Sequence, residues 1–279
     1  MIDRSYQKTQ GRNAELTTVG IDPTFQKSFN FNRNYNLRWN IFKSVNLDYR
    51  AAVTAVIDEP EGEIDTQAKR DSIMSNIKRL GRMKRYDQSV SASYRLPLDK
   101  FPLTEWMSAD YRYNVNYSWT AGTLSTIDEY GNDLKNERSQ DVTGKFDLVK
   151  LYNKSKFLKS INTPARRRAS STRSRTPAKV DTTKAKTSGP MLKGFFRLLM
   201  MVRSVNVTVG KQESTFLPGF AMDPYLFGLS EGFEAPGAAF VFGDQNPDIR
   251  FKASDNDWLV KSSSQQLSFE QSLTNDIKL

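Results

Sequence analysis

From Phe29 to Ile41 the chain reads FNFNRNYNLRWNI. Phe29, Phe31, Tyr35, Leu37, Trp39 and Ile41 fall on odd positions, while Asn30, Asn32, Asn34, Asn36, Arg38 and Asn40 fill the even ones. A period of two belongs to a strand. A soluble sheet with one buried face also alternates, but its inner face usually favours aliphatic residues. Aromatic residues on one face and amides and charges on the other, sustained over about ten residues, are what a strand needs between lipid and a watery lumen.

The alternation recurs. Val45, Leu47, Tyr49, Ala51, Val53, Ala55 and Ile57 oppose Asn46, Asp48, Arg50 and Thr54. Tyr86, Val90, Ala92, Tyr94 and Leu96 oppose Asp87, Ser89, Ser91, Ser93 and Arg95. Ala109, Tyr111, Tyr113, Val115, Tyr117, Trp119 and Ala121 oppose Asp110, Arg112, Asn114, Asn116, Ser118 and Thr120. Weaker candidates are Val142 to Leu148, Val205 to Val209, and Leu267 to Leu273. The pattern therefore predicts an all-β chain of roughly seven antiparallel strands, most long enough to cross a bilayer when tilted. It reads as a segment of a transmembrane β-barrel, incomplete by itself, with long loops and short helical pieces.

Outer-membrane barrels join their strands by short periplasmic turns and longer outer loops. Phe42, Lys43 and Ser44 make the tightest turn and are placed on the periplasmic side. Parity then makes 58–85 and 122–137 outer loops, 97–108 a periplasmic turn, 150–200 periplasmic and 214–264 a long outer excursion. The resulting division is a leading loop over 1–24, strands with loops over 25–149, a helical piece with a basic linker over 150–200, and further strands over 201–279. Leu148, Leu151, Tyr152 and Leu158 approximate helical spacing, and Phe195, Phe196, Leu199 and Met200 cluster after the linker. These are either short amphipathic pieces at the rim or ordinary turn packing.

Composition narrows the function classes. With 38% hydrophobic residues and no run approaching the ~20 apolar residues of a membrane helix, any insertion must be by barrel. There is no cysteine and no histidine, which removes Cys/His zinc sites, thiol catalysis and Ser-His-Asp triads. No carboxylate pair stands out as catalytic, so no enzyme activity, cofactor or metal is expected. The opening residues MIDRSYQKTQ lack the apolar core of a secretory leader. Together with the unpaired sheet edges, this reads as a piece of a longer protein.

Residues 162–190, NTPARRRASSTRSRTPAKVDTTKAKTSGP, have almost no large apolar side chain and are expected to be disordered. Arg166, Arg167, Arg168, Arg173, Arg175, Lys179, Lys184 and Lys186 face only Asp181, so eight cations less one anion give +7 of the chain's +10. The tract reads as a basic tether, with attraction to acidic headgroups as the rival reading. Nucleic-acid binding is not expected, because the cations are gathered in a linker rather than set among the aromatic residues. Asp58, Glu59, Glu61, Glu63 and Asp65 form an acidic knot without the regular spacing of a calcium loop, so solvated charge is favoured there. The same holds for Asp244, Asp248, Asp255 and Asp257.

Five blocks carry a family resemblance: FNFNRNYNLRWNIFKSVNLDYRA, KRLGRMKRYDQ, ASYRLPLDKFPLTEWMSADYRYNVNYSWTAG, KFDLVKLYNKSKFLKSIN, and STFLPGF followed by LFGL. Together they resemble the SprA (Sov) family, the giant outer-membrane translocons of type IX secretion and gliding motility in Bacteroidetes. The likeness covers most of residues 25–279 apart from the basic linker. It implies a cell-surface pore in the outer membrane, part of a single-chain barrel of up to ~36 strands. It also implies folded cargo as passenger, with a PorV-like barrel and a periplasmic plug protein as partners. Phe29, Phe31, Tyr35, Leu37, Trp39, Val45, Leu47, Tyr49, Val53, Tyr111, Tyr113, Val115, Tyr117 and Trp119 would be its lipid-facing belt. Arg33 interrupts that belt. An arginine at mid-bilayer costs roughly 2–4 kcal/mol, falling toward zero near an interface, so Arg33 is expected at headgroup level on the outer side. A β-rich adhesin module and a smaller outer-membrane transporter are the competing classes.

Overall fold

The computed structural model describes residues 1–11, 22–155, 158–159, 198 and 200–279. Among them, eight strands form one antiparallel sheet in chain order: β1 (Ile2–Thr9), β2 (Thr24–Phe42), β3 (Val45–Val56), β4 (Arg82–Leu96), β5 (Met107–Thr120), β6 (Asn132–Asp147), β7 (Ser204–Phe220) and β8 (Glu270–Lys278). No helix among the described residues is long and apolar enough to cross a membrane.

The aromatic alternation does form strands where it is strongest. β2 and β3 pair from Asn30↔Val56 to Phe42↔Val45, with Lys43 and Ser44 alone in the turn and a register shift between Asn40 and Phe42. The pairs Tyr35↔Ala51, Leu37↔Tyr49 and Trp39↔Leu47 put both odd sets on one face. Val53↔Tyr86 and Tyr49↔Val90 carry that face onto β4.

Four boundaries differ from the sequence pattern. The leading loop contains β1, whose face toward the β2 aromatics alternates Ile2, Arg4, Tyr6 and Lys8. Arg4 stacks over Phe29 at 5.5 Å and Lys8 over Phe25 at 5.6 Å, so cations take positions that an apolar alternation would fill. β4 begins at Arg82, so the last four residues of the predicted outer loop are strand. β6 begins at Asn132, within another, because its covered positions include the amides Asn132 and Asn136. β7 runs on to Phe220, through residues assigned to the excursion.

The described residues divide into two compact units. The first comprises Met1–Tyr94, Arg112–Asp141 and Gly210–Asp276. Its helix α1 (Gln67–Lys78) is capped by the Thr66 hydroxyl, which accepts from the Lys69 amide, and it lays Ile73 against Phe29 and Ile57. A larger core joins the odd face of the sheet to the excursion between β7 and β8. Tyr117, Trp119, Leu134 and Leu217 meet Leu229, Phe240, Val241, Ile249 and Trp258, carried partly on the short helices α4 (Ala238–Val241) and α5 (Ile249–Asp255). The excursion is tied back to the end of β7, where the Ala221 amide donates to Trp258 O and the Val260 amide to Gly219 O, both at 2.8 Å. A single turn, α2 (Ile127–Tyr130), links β5 to β6.

The second unit comprises Arg95–Tyr111, the described part of 142–209, and Ile277–Leu279. Asp147 caps α3 (Leu148–Lys154) by accepting from the Lys150 amide at 3.1 Å. Tyr152 and Met200 form its small core with Leu148 and Leu158, so three of the four helically spaced residues come together, while Leu151 stays outside the cluster.

Candidate functional site

The sheet of the first unit has two chemically different faces, and on β2 and β3 the odd face is itself divided. Toward the start of β2 it is covered: Phe29 is 8% exposed, and Ala51, Val53 and Ala55 are all under 5%. Toward the hairpin it is open. Tyr35, Leu37, Trp39 and Ile41 are 50%, 59%, 57% and 40% exposed, with Val45, Leu47 and Tyr49 half-buried beside them. At about 3.3 Å per residue, Tyr35 to Phe42 spans roughly 23 Å along the strand, or about 18 Å of height at a tilt near 40°, most but not all of the ~25 Å apolar band of an outer-membrane strand. Such a contiguous exposed aromatic stripe marks contact with lipid or with another protein.

The even face carries a groove of about 680 Å³ lined by Asn34, Asn36, Arg50, Arg85, Asp87, Ser89, Asn116, Ser118, Lys135 and Glu137. Its charges are mostly paired along the strands, Arg85 with Asp87 at 2.7 Å and Lys135 with Glu137 at 2.6 Å. Further along β2 and β3 toward the hairpin, Arg38 and Asp48 stand directly opposite each other at 2.6 Å. Exposed pairs of this kind contribute about 0–1 kcal/mol, so they add little stability. Their physical effect is to keep the surface polar and close to charge-balanced.

The covering of the odd face is built from aromatic packing and directed hydrogen bonds. The Tyr117 hydroxyl donates to Gly228 O and the Trp119 indole to Met222 O, both at 3.1 Å. The Asn136 amide donates to Phe240 O at 2.6 Å and Asp244 O at 2.9 Å. The Thr215 hydroxyl donates to Gln245 Oε1 at 2.6 Å and accepts from Gln271 Nε2 at 3.0 Å. Phe227 extends the cover edge-on over Tyr49, with ring centroids 5.8 Å apart.

Arg33 lies between the covered and open halves. Its guanidinium stacks over Phe31 at 5.4 Å, and its Nε and Nη2 are enclosed without a hydrogen-bond partner. A buried donor left unpaired costs about 1–3 kcal/mol, more when charged.

The acidic knot is a set of ion pairs. Asp58 takes a bidentate bond from Arg82, Glu59 pairs with Arg4 at 2.6 Å, Glu63 with Lys8 at 3.2 Å and Asp65 with Lys69 at 3.0 Å. The Arg82 fork holds the Asp58 carboxyl below its usual range. Burial pushes the Asp223 carboxyl up, against a smaller opposite effect of Arg82. Among the described residues no group of histidine, cysteine or acidic side chains is placed to hold a metal ion.

The residues predicted as a lipid-facing belt are thus split by the structure. Tyr35, Leu37 and Trp39 are open, while Phe31, Val45, Leu47, Tyr49, Tyr111 and Tyr113 are half-buried. Phe29, Val53, Val115, Tyr117 and Trp119 are covered by protein, the last three at 1%, 1% and 0% exposure, and the belt assignment is corrected for these five. Phe29 lies under α1, and the excursion that covers the others has no sustained period in its apolar residues, such as Phe240, Val241 and Ile249, to mark it in the sequence. Arg166, Arg167, Arg168, Arg173 and Arg175 of the basic tether lie outside the described residues, as do Phe195, Phe196 and Leu199. Compared with known proteins, the chain matches no family model and no curated protein.

Proposed function

We propose that this chain is part of the wall of an outer-membrane β-barrel pore of the SprA (Sov) kind, which passes folded cargo in type IX secretion and supports gliding. The observation that carries the reading is the two-faced sheet. One side presents an open aromatic stripe that covers most of the height of the apolar band, and the other a groove of compensated charges. A wall between lipid and a wide protein-conducting lumen needs both, and it needs no catalytic group. In this reading Tyr35, Leu37, Trp39 and Ile41 meet acyl chains. Asn34, Asn36, Arg50 and Asn116 face the lumen. The excursion over 221–269 is an extracellular cap held on the lipid side above the bilayer, and the remaining strands of the parent barrel pair with the sheet's edges. A PorV-like barrel, a periplasmic plug protein and secreted cargo are the proposed partners.

The chain lacks cysteine, which makes the test direct. Single cysteines at Leu37 and Asn116 of the full-length protein are treated with a water-soluble maleimide in outer membranes, and with a crosslinker while cargo is stalled in export. Asn116→Cys should label fast and crosslink to cargo, and Leu37→Cys should do neither. Equal aqueous labelling would sink the pore-wall reading.

One observation favours a second reading, a β-rich surface module. The cap already buries Tyr117 and Trp119 as a soluble core would. The open stripe on β2 is what that reading leaves unexplained.

A further inference from the structure

We infer that Arg33 is the binding residue for a phosphoryl headgroup at the rim of the aromatic stripe, an inference that rests on the pore-wall reading above. Elsewhere in the same unit, Arg82 clamps Asp58 through Nε and Nη2, each 2.9 Å from a carboxylate oxygen. Those two atoms form the edge of a guanidinium that grips two oxygens at once. On Arg33 the same edge has no partner.

Its own element supplies only Asn32 and Asn34 beside it and Phe31 beneath it. Its cross-strand partner is Val53, with Ala51 and Ala55 to either side. An arginine does not escape by losing its proton, so an anion must come from outside this group of residues. The residue as a whole is half-buried, so rotation of its outer side-chain bonds brings the fork to the surface.

Position selects the anion. Arg33 projects from the same face as Tyr35, Leu37 and Trp39 and sits two residues beyond the first of them, at the end of the stripe where the covering begins. A group anchored there by acyl chains places its phosphate at the height of the guanidinium. The shared chemistry is a phosphate dianion or monoanion offering two oxygens, and a lipid headgroup is the source that this location favours over free phosphate.

The test uses the full-length protein in nanodiscs. Brominated phosphatidylcholine should quench the fluorescence of Trp39, assigned by difference from Trp39→Phe. Failure of that quenching would overturn the pore-wall reading itself. With quenching established, brominated phosphatidic acid is titrated against unlabelled phosphatidylcholine. Wild type should prefer the phosphomonoester lipid about tenfold, the scale of one charge-assisted hydrogen bond. Arg33→Gln should abolish the preference while leaving phosphatidylcholine quenching intact, and Arg33→Lys should keep only part of it. No preference in wild type, or one unchanged in Arg33→Gln, would overturn the site. Competition by millimolar inorganic phosphate would assign the fork to the free anion and overturn the headgroup source.

Discussion

Tyr117 and Gly228 are fitted to each other twice, although 111 residues separate them. The phenol donates to the glycine carbonyl at 3.1 Å, and a Cβ on Gly228 would lie 2.6 Å from the tyrosine ring. Gly228 also has φ +78°, where a side chain is strained. Gly243 repeats the arrangement over Val115, where an added Cβ would come within 2.5 Å of Cγ2. The cap therefore meets the sheet through bare backbone at two points, and the large aromatic residues beneath set its height.

Gly228→Ala should accordingly destabilise the cap by about 2–4 kcal/mol, combining left-handed strain with overpacking. Gly232→Ala is the control, because Gly232 has φ +94° but nothing within 4 Å of the added atom. It should cost only the backbone strain, about 1 kcal/mol. Limited proteolysis of residues 221–269 at rising denaturant measures both. Equal losses would mean that the contact with Tyr117 is not tight.

Asn136 offers a test of the polar part of the same interface. It is fully buried, and its amide serves the carbonyls of Phe240 and Asp244. Asn136→Ala leaves both acceptors without that donor, at about 1–3 kcal/mol each. Asn136→Leu restores the volume but not the hydrogen bonds and should be no better. Rescue by leucine would show that packing, not satisfaction of the carbonyls, holds α4 in place.

The strands were legible in the sequence wherever one face was aromatic and the other amide or charged, as in β2, β3 and β5. They were not legible where the positions on the aromatic side are filled by something other than an apolar side chain. In β1 these positions include Arg4 and Lys8, which stay exposed and stack on Phe29 and Phe25. In β6, Asn132 and Asn136 are inside because they serve backbone carbonyls of the excursion. The polarity of the sheet was readable for the same reason as the strands, since period two assigns faces directly. What covers a face is a tertiary fact. Nothing local to Trp119 tells lipid from Met222 and Phe240, and the cap has no period to announce it.

That distinction changes which substitution reports on lipid contact. Val115→Arg would break a protein core, being 1% exposed under the cap. Leu37→Arg, at 59% exposure in the open stripe, tests the membrane alone. In the full-length protein it should impair assembly into the outer membrane by about 2–4 kcal/mol if Leu37 lies near mid-bilayer. Asn36→Arg, one residue away on the polar face, should assemble normally. A folding-band assay on heat-modified gels reads both, and indifference to Leu37→Arg would count against lipid on that face.

Two aspartates at the capped end should respond to pH with opposite signs. Asp58 has its folded pKa lowered by the Arg82 fork, so it stabilises the fold above the ordinary aspartate value near 3.9 and loses that contribution as pH falls through its folded value. Asp223 has its folded pKa raised by burial, so its charge opposes folding at neutral pH, and the opposition fades as the carboxyl takes up a proton. Asp58→Asn should therefore weaken the fold at pH 7, by under about 1 kcal/mol because the pair is partly exposed, and have a smaller effect near pH 3. Asp223→Asn should strengthen it at pH 7, with the gain vanishing at low pH where wild type is protonated in both states. Denaturant midpoints of the protease-resistant cap, measured at pH 7 and pH 3 for both variants, give four values from one assay. If Asp223→Asn destabilised at pH 7, attraction to Arg82 would outweigh desolvation, and the carboxylate would belong to the same ion-paired knot as Asp58.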